Sequence, residues 1–160
     1  MPKRIMILAT NGFEQSELEK PKAALEEAGF ETVVVSPEDG QINGWQDKDW
    51  GDAVKVDLTL EEAEAADFDA LVLPGGQMNP DILRMEDKAV QLVKDFCASG
   101  KTVTSWPSIR TDLKNAGANV VDKEVATDGN LITSRNPDDI PAFNKAIIAA
   151  LEDQPALENA

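Results

Sequence analysis

Short runs of apolar residues recur along the chain, and the clearest of them end in loops marked by Gly, Pro, Asn or Ser. The runs are "RIMILAT" at 4–10, "FETVVVSP" at 30–37 and "DALVLPGG" at 69–76. An apolar run without polar alternation predicts a strand that is buried on both faces. The segment 85–99 instead repeats its apolar residues at helical spacing. Strands that alternate with helices predict an α/β domain with a mainly parallel sheet.

The turn signals indicate one domain with one small excursion. Residues 1–152 are predicted to form a single α/β domain, and residues 153–160 a C-terminal tail. Within this domain, residues from about 40 to 57 predict a small hairpin. The pair Asn43–Gly44 is a typical turn signal for it.

Charge and residue usage argue against several partners. The chain has 15 basic and 30 acidic residues, a net charge of −15, which would repel a phosphate backbone, so no nucleic-acid partner is predicted. No apolar run is long enough to cross a membrane, and the start of the chain lacks the features of a signal peptide. Cys97 is the only cysteine and can form no internal disulfide, which favours a cytoplasmic protein.

The chain contains no histidine, so neither a Ser-His-Asp nor a Cys-His arrangement can form within it. No metal site is predicted, because zinc prefers histidine and cysteine ligands. No cofactor is predicted either, because Gly75–Gly76 is followed by neither a phosphate-loop nor a dinucleotide motif. Acid–base chemistry would have to use carboxylates, the thiol, lysine or water.

Two loops carry the residues that could do chemistry. Glu14 follows the first strand beside Phe13, where loss of solvation would raise the pKa of its carboxyl. The alternative is an exposed acid at the start of the first helix. Gly75 and Gly76 end the third strand, and their amides can approach a ligand as an oxyanion hole requires. Because ligands of such sheets bind beyond the carboxyl ends of the strands, both loops should border one crevice.

Five segments together give the chain a family resemblance. They are "NGFEQSEL", "FDALVLPGG", "PDILR", "TSWPSIRTDLKNAGA" and "DGNLITSRNPDDIPAFN". They resemble the PfpI-type branch of the ThiJ/PfpI superfamily, from about Lys3 to Leu151. The resemblance implies a flavodoxin-like three-layer sandwich that forms a homo-oligomer, either a dimer or a hexamer. It also implies attack of a cysteine thiolate on the carbonyl of a peptide or a small carbonyl compound.

The resemblance assigns roles to individual residues. The glutamate that assists the thiolate matches Glu14, and the oxyanion glycines match Gly75 and Gly76. Asp81 matches an acidic residue that can reach the site of a neighbouring subunit.

The chain departs from the family pattern after "SGK". Family members continue into a strand that ends in an Ala-Ile-Cys-His-Gly-Pro-like elbow, then a helix, and only then reach "TSWPSIR". Here "SGK" runs directly into "TVTSWPSIR", so the domain is one βα unit shorter and lacks the expected cysteine and histidine. A natural loss and an engineered excision would give the same junction. Cys97 lies before it on the apolar stripe of a helix, where we expect a buried and inert thiol.

The missing unit would leave an empty slot beside the third strand. Because unpaired backbone groups in the middle of a sheet are costly, we expect "KTVTSW" to pair beside "ALVLP". Thr104 or Ser105 would then end near the crevice. Ser105 is a substitute nucleophile only if Glu14 or Asp112 acts as its base; the alternative is a site without a nucleophile.

Three functions can be compared on these residues. The sequence favours a homologue that has lost catalysis and retains ligand binding or assembly. The alternative is an active thiol or hydroxyl hydrolase, or a glyoxalase-like enzyme, that uses Glu14 with a displaced nucleophile. A flavin-binding flavodoxin is disfavoured, because no Ser/Thr-rich phosphate loop follows the first strand.

Overall fold

A computed structural model describes residues 1–105 and 121–154, with the backbone alone for 103–105. The strands are β1 (Arg4–Leu8), β2 (Phe13–Glu14), β3 (Glu31–Ser36), β4 (Gln41–Gln46), β5 (Asp49–Lys55), β6 (Leu58–Thr59), β7 (Ala70–Leu73), β8 (Thr102–Ser105), β9 (Val125–Asp128) and β10 (Leu131–Ser134). The α-helices are α1 (Gln15–Glu27), α2 (Met78–Leu83), α3 (Asp87–Ser99) and α4 (Ile140–Asp153). Short 3₁₀ turns occupy Ala65–Asp67 and Pro137–Asp139.

The central sheet has the strand order β6-β3-β1-β7-β8-β10-β9 within the described residues. Its pairs are parallel except for β10 with β9, which are antiparallel. The predicted α/β domain with a mainly parallel sheet is therefore confirmed. Parallel strands point their carboxyl ends the same way, so the loops after β1, β7 and β10 start at the same edge of the sheet.

Helices cover both faces of the sheet because alternate residues of β1 point to opposite sides. Ile5 and Ile7 belong to a core shared with α1 and α4, whereas Met6 and Leu8 belong to a core shared with α3. All four side chains are at most 1% exposed. Burial of one such side chain is worth about 1.5–3 kcal/mol, so β1 anchors both layers.

Strand β8 fills the slot beside β7, as the sequence predicts. Val103 is paired with Leu71 and, on its other side, with Leu131 of β10. The preceding helix α3 ends at Gly100, which adopts a left-handed conformation with φ +71° and lets the chain turn into β8. The sheet therefore stays continuous from β7 through β8 to β10.

A hairpin of β4 and β5 forms a second, three-stranded sheet with β2. The predicted turn at Asn43–Gly44 is wrong, since the chain reverses at Asp47 and Lys48, where Asp47 has a φ of +56°. Gly44 lies inside β4, and a Cβ there would stand 3.1 Å from the Gln15 Cβ. This glycine permits close approach of the hairpin to α1 and does not make a turn.

Candidate functional site

A cleft of about 560 Å³ lies beyond the carboxyl ends of β1 and β7. Four segments line it: the stretch that leads from the loop after β1 into α1, the hairpin, the turn after β7 and the segment after β10. The lining side chains that could bind a ligand or take part in chemistry include Glu14, Glu17, Trp45, Asp47, Met78 and Arg135. The two loops singled out from the sequence therefore do border one crevice.

The ends of β1 and β7 are tied together by a buried asparagine. Asn79 is 1% exposed; its side-chain oxygen accepts from the Thr10 amide at 2.8 Å and its nitrogen donates to the Pro74 carbonyl at 2.7 Å. Gly76, with a φ of +107°, then passes so close that a Cβ would lie 2.8 Å from the Gly12 oxygen. Only glycine fits that backbone contact without displacement.

Glu17 is the buried acid of the cleft. The residue is only 6% exposed, and its Oε2 accepts a hydrogen bond from the Gly75 amide at 2.7 Å. Burial raises the pKa of the Glu17 carboxyl to about 7, and the nearby charge of Glu14 adds to this rise. The hydrogen bond from Gly75 opposes it but is the smaller effect.

Glu14 lines the same cleft and is half-buried, with its Oε1 accepting from the Ser16 hydroxyl at 3.2 Å. The environment that the sequence predicts for Glu14 is found at Glu17, which sequence reasoning missed. A signal was present, because Glu17 stands four residues before Pro21 and next to Leu18 on the buried face of α1. A carboxylate on an apolar stripe is a candidate for burial.

Arg135 supplies the positive charge of the cleft and was also missed from the sequence. Its Nε and Nη2 each donate to a different oxygen of Asp139 at 2.9 Å, and Nη1 donates to Asp122 at 2.9 Å. The hydrogen bond from Arg135 holds the pKa of the Asp139 carboxyl below its usual value. The spacing of Arg and Asp by four residues in "SRNPDD" is the sequence signal for this pair.

The oxyanion role of Gly75 and Gly76 and the inter-subunit role of Asp81 remain predictions. The Gly75 amide already donates to Glu17, and the Gly75 carbonyl accepts from the Glu14 amide at 3.1 Å. Asp81 lies on α2, is exposed and forms an ion pair with Arg84, the residue that follows the helix.

Cys97 is exposed, which corrects the expectation of a buried thiol. The buried residues of α3 are Ala89, Leu92 and Phe96, and Cys97 is turned by about 100° from Phe96 around the helix. It lies in the last turn of α3, just before β8 begins, and therefore at the amino ends of the strands. The thiol and the cleft therefore lie at opposite ends of the parallel strands.

The Ser105 backbone ends β8 between Leu73 and Thr133, at the side of the sheet where the cleft lies. Its side chain, like Asp112, lies outside what the structure describes. Within residues 1–105 and 121–154, no three metal-ligating side chains cluster together. No helix in that same part of the chain has the length and apolarity needed to cross a membrane.

The chain belongs to the DJ-1/PfpI family, whose model matches residues 3–103 and 97–150. It is 37% identical over 174 residues to the putative cysteine protease YraA of Bacillus subtilis, covering 95% of this chain and 100% of that protein. It is 37% identical over 169 residues to deglycase TK1284 of Thermococcus kodakarensis, covering 92% and 99%.

A solved structure confirms the flavodoxin-like fold class. The chain is similar to a two-domain protein from Anabaena variabilis with DJ-1/ThiJ/PfpI-like and ferritin-like domains, with a TM-score of 0.86 and 34% identity. The match covers 94% of this chain and 48% of that protein.

Two features of these matches bear on the junction. The alignment with YraA is 174 residues long, whereas this chain has 160, so YraA carries residues without a counterpart here. The two ranges matched by the family model overlap at 97–103. The overlap therefore lies around the point where "SGK" meets "TVTSW".

Proposed function

We propose that this protein binds small carbonyl compounds or peptides in the cleft and has lost the cysteine-dependent chemistry of its family. The placement of reactive groups carries the proposal. Carboxyl groups and the backbone of the Gly75–Gly76 turn line the cleft at the carboxyl ends of the strands. Cys97 lies at the amino ends of the strands, and the chain has no histidine. A thiolate that cannot reach the bound carbonyl cannot attack it.

The relatives support the choice of ligand class. One is called a putative cysteine protease and another a deglycase, and both align with nearly the whole of this chain. The cleft is lined by Arg135, whose guanidinium can donate to a carbonyl oxygen, and by the carboxyl groups of Glu14 and Glu17, which can accept from a hydroxyl or amide of the ligand.

Transplanting the missing residues tests the proposal. The wild-type chain should consume methylglyoxal, and cleave a fluorogenic peptide, no faster than buffer. A variant that receives the extra residues of YraA after Gly100 should gain activity, because the remaining cleft is in place. The substitution Cys97→Ser should change the activity of neither protein. Turnover by the wild-type chain that disappears in Cys97→Ser would overturn the proposal.

Binding is tested separately with hydroxyacetone, a stable small carbonyl compound. Saturation-transfer NMR should show contact with the wild-type protein and weaker contact when a bulky side chain fills the cleft, as in Gly12→Leu. The residue Gly40, exposed and outside the cleft, provides the control Gly40→Leu. Equal signals from both variants would argue against this cleft as the binding site.

The second candidate function is a hydroxyl-dependent hydrolase with Ser105 as nucleophile. The position of the Ser105 backbone at the carboxyl end of β8 favours it. Peptide or ester hydrolysis that falls to background in both Ser105→Ala and Glu14→Gln, but survives Cys97→Ser, would support this function over the first.

We also propose that the protein works in the cytoplasm as a homo-oligomer. The exposed Asp81, whose ion pair is with the nearby Arg84, is available to a second subunit. Light scattering after gel filtration measures the order of assembly, and a monomer at micromolar concentration would contradict this part of the proposal.

A further inference from the structure

The Glu17 carboxyl lines the cleft and has one oxygen engaged in a hydrogen bond. Its Oε2 accepts from the Gly75 amide at 2.7 Å, which fixes the orientation of the group. Within the described part of the chain, Oε1 accepts no hydrogen bond, although Glu17 is only 6% exposed and lines the cleft. An oriented carboxylate oxygen that is free to accept a hydrogen bond at the lining of a cleft is placed to take a proton from a bound molecule.

The proton affinity of this carboxyl suits that task. Burial raises the pKa of Glu17 to about 7, so near neutral pH the group can both accept and release a proton. A carboxylate with an ordinary pKa is a much weaker base, and general bases work best when their pKa is close to the working pH.

Arg135 can stabilise the negative charge that proton removal creates. A guanidinium has five N–H donors, and the described contacts of the Arg135 side chain use three of them, on Asp139 and Asp122. One N–H remains on each terminal nitrogen, and the residue lines the cleft. The two ion pairs hold the guanidinium in place, as electrostatic stabilisation of a developing oxyanion requires.

We propose that the cleft catalyses proton transfer at the carbon next to a carbonyl group, without cysteine, in small α-hydroxy aldehydes and ketones. Glu17 is the base and Arg135 the group that stabilises the oxyanion. This inference rests on the proposed function, because it requires a carbonyl compound to bind in the cleft.

The reaction is balanced within the substrate. The C–H bond breaks, its proton moves to Glu17 Oε1, and its electron pair forms a carbon–carbon double bond. The carbonyl oxygen then becomes an enediolate oxygen that accepts hydrogen bonds from Arg135. Return of the proton to the neighbouring carbon, with transfer of the hydroxyl proton between the two oxygens, gives the isomer. No oxidant, reductant or water is consumed.

Deuterium exchange tests this inference directly. Hydroxyacetone in D₂O is followed by proton NMR, with the intact chain present, and the loss of the signal at its hydroxymethyl carbon is measured. Wild type should exchange this position faster than buffer. Glu17→Gln should lower the enzymatic rate by about 10²-fold or more, the size expected when a general base is removed. The wild-type rate should rise as the pH increases through about 7, since the carboxylate is the active form.

Matched controls separate chemistry from folding. Glu27→Gln makes the same chemical change at an exposed position of α1 and should keep the wild-type rate, as should Cys97→Ser. Glu17→Asp keeps the charge but shortens the reach of the carboxylate, so it should also lose exchange while retaining the wild-type circular dichroism spectrum.

The two proposals fail in different ways. Hydroxyacetone that binds in the saturation-transfer experiment but exchanges no faster than in buffer would overturn this inference and leave the proposed function standing. Exchange that is equal in wild type and Glu17→Gln would also overturn it. Absence of both binding and exchange would overturn the inference and count against the proposed function as well.

Discussion

At the carboxyl ends of the strands the Glu17 carboxyl is buried and hydrogen-bonded, whereas at the amino ends the Cys97 thiol is exposed on the last turn of α3. The Glu17 carboxyl accepts from the turn after β7, and its burial raises its pKa to about 7. Near Cys97 the helix simply ends and turns into β8. The comparison teaches that tertiary contacts with other segments, and not the residue type, decide which polar side chain of this fold is buried.

The largest expected effect on stability is at Phe96, the neighbour of Cys97, which is fully buried. Phe96→Ala should lower the free energy of unfolding by about 3–5 kcal/mol, because it removes a large side chain from the core and leaves a cavity. Urea denaturation measures the loss. A loss below about 1 kcal/mol would mean that α3 does not pack on the sheet as described.

The next effect is the pH dependence that Glu17 gives to stability. The unfolded chain loses this proton near pH 4.5, whereas the folded protein holds it until about pH 7. Between these values the folded state binds more protons, so its stability falls as the pH rises. At about 1.4 kcal/mol per pKa unit, the full loss is about 3 kcal/mol.

Glu17→Gln should abolish that loss. Relative to wild type, the variant should therefore gain about 3 kcal/mol between pH 4.5 and pH 8 in urea denaturation. Glu27→Gln, on the exposed face of the same helix, should show no comparable gain. A wild-type minus Glu17→Gln difference that stays constant with pH would contradict the burial of this carboxyl.

A smaller effect is expected where the cleft loops meet. Gly76→Ala should cost about 1–3 kcal/mol, since φ is +107° and the new Cβ would lie 2.8 Å from the Gly12 oxygen. Gly40 also has a positive φ, of +84°, but has open space around it, so Gly40→Ala should cost less. Thermal melts of both variants give the comparison, and equal costs would mean that the contact at Gly76 is not tight.

The smallest effect is expected at Cys97 itself. Cys97→Ser should change the free energy of unfolding by less than about 0.5 kcal/mol, because the side chain is exposed. In the native protein, a chromogenic disulfide reagent should label the thiol as fast as it labels the urea-unfolded chain. Slow labelling in the absence of urea would show that α3 is covered in solution.

Much of the fold could be predicted from the sequence. The apolar runs of β1, β3 and β7 and the helical spacing in α3 are local patterns, and the structure follows them. The placement of β8 could also be predicted, because an empty slot beside β7 would leave backbone groups unpaired. These predictions need only the periodicity of burial and the requirement for hydrogen bonds.

The details of the site were harder to predict. Gly44 looks like a turn residue in the sequence and proves to be a contact residue, because the hairpin packs on α1. The buried acid is Glu17, whereas the sequence drew attention to Glu14. In both cases the deciding neighbours come from segments far away in the chain.

The sequence by itself determined the alternation of strands and helices, the absence of histidine and the presence of a single thiol. Only the tertiary structure decided which carboxyl is desolvated and that the thiol is exposed at the amino ends of the strands. The physical reason is that periodicity is a property of neighbouring residues, whereas desolvation is produced by distant segments that meet in space.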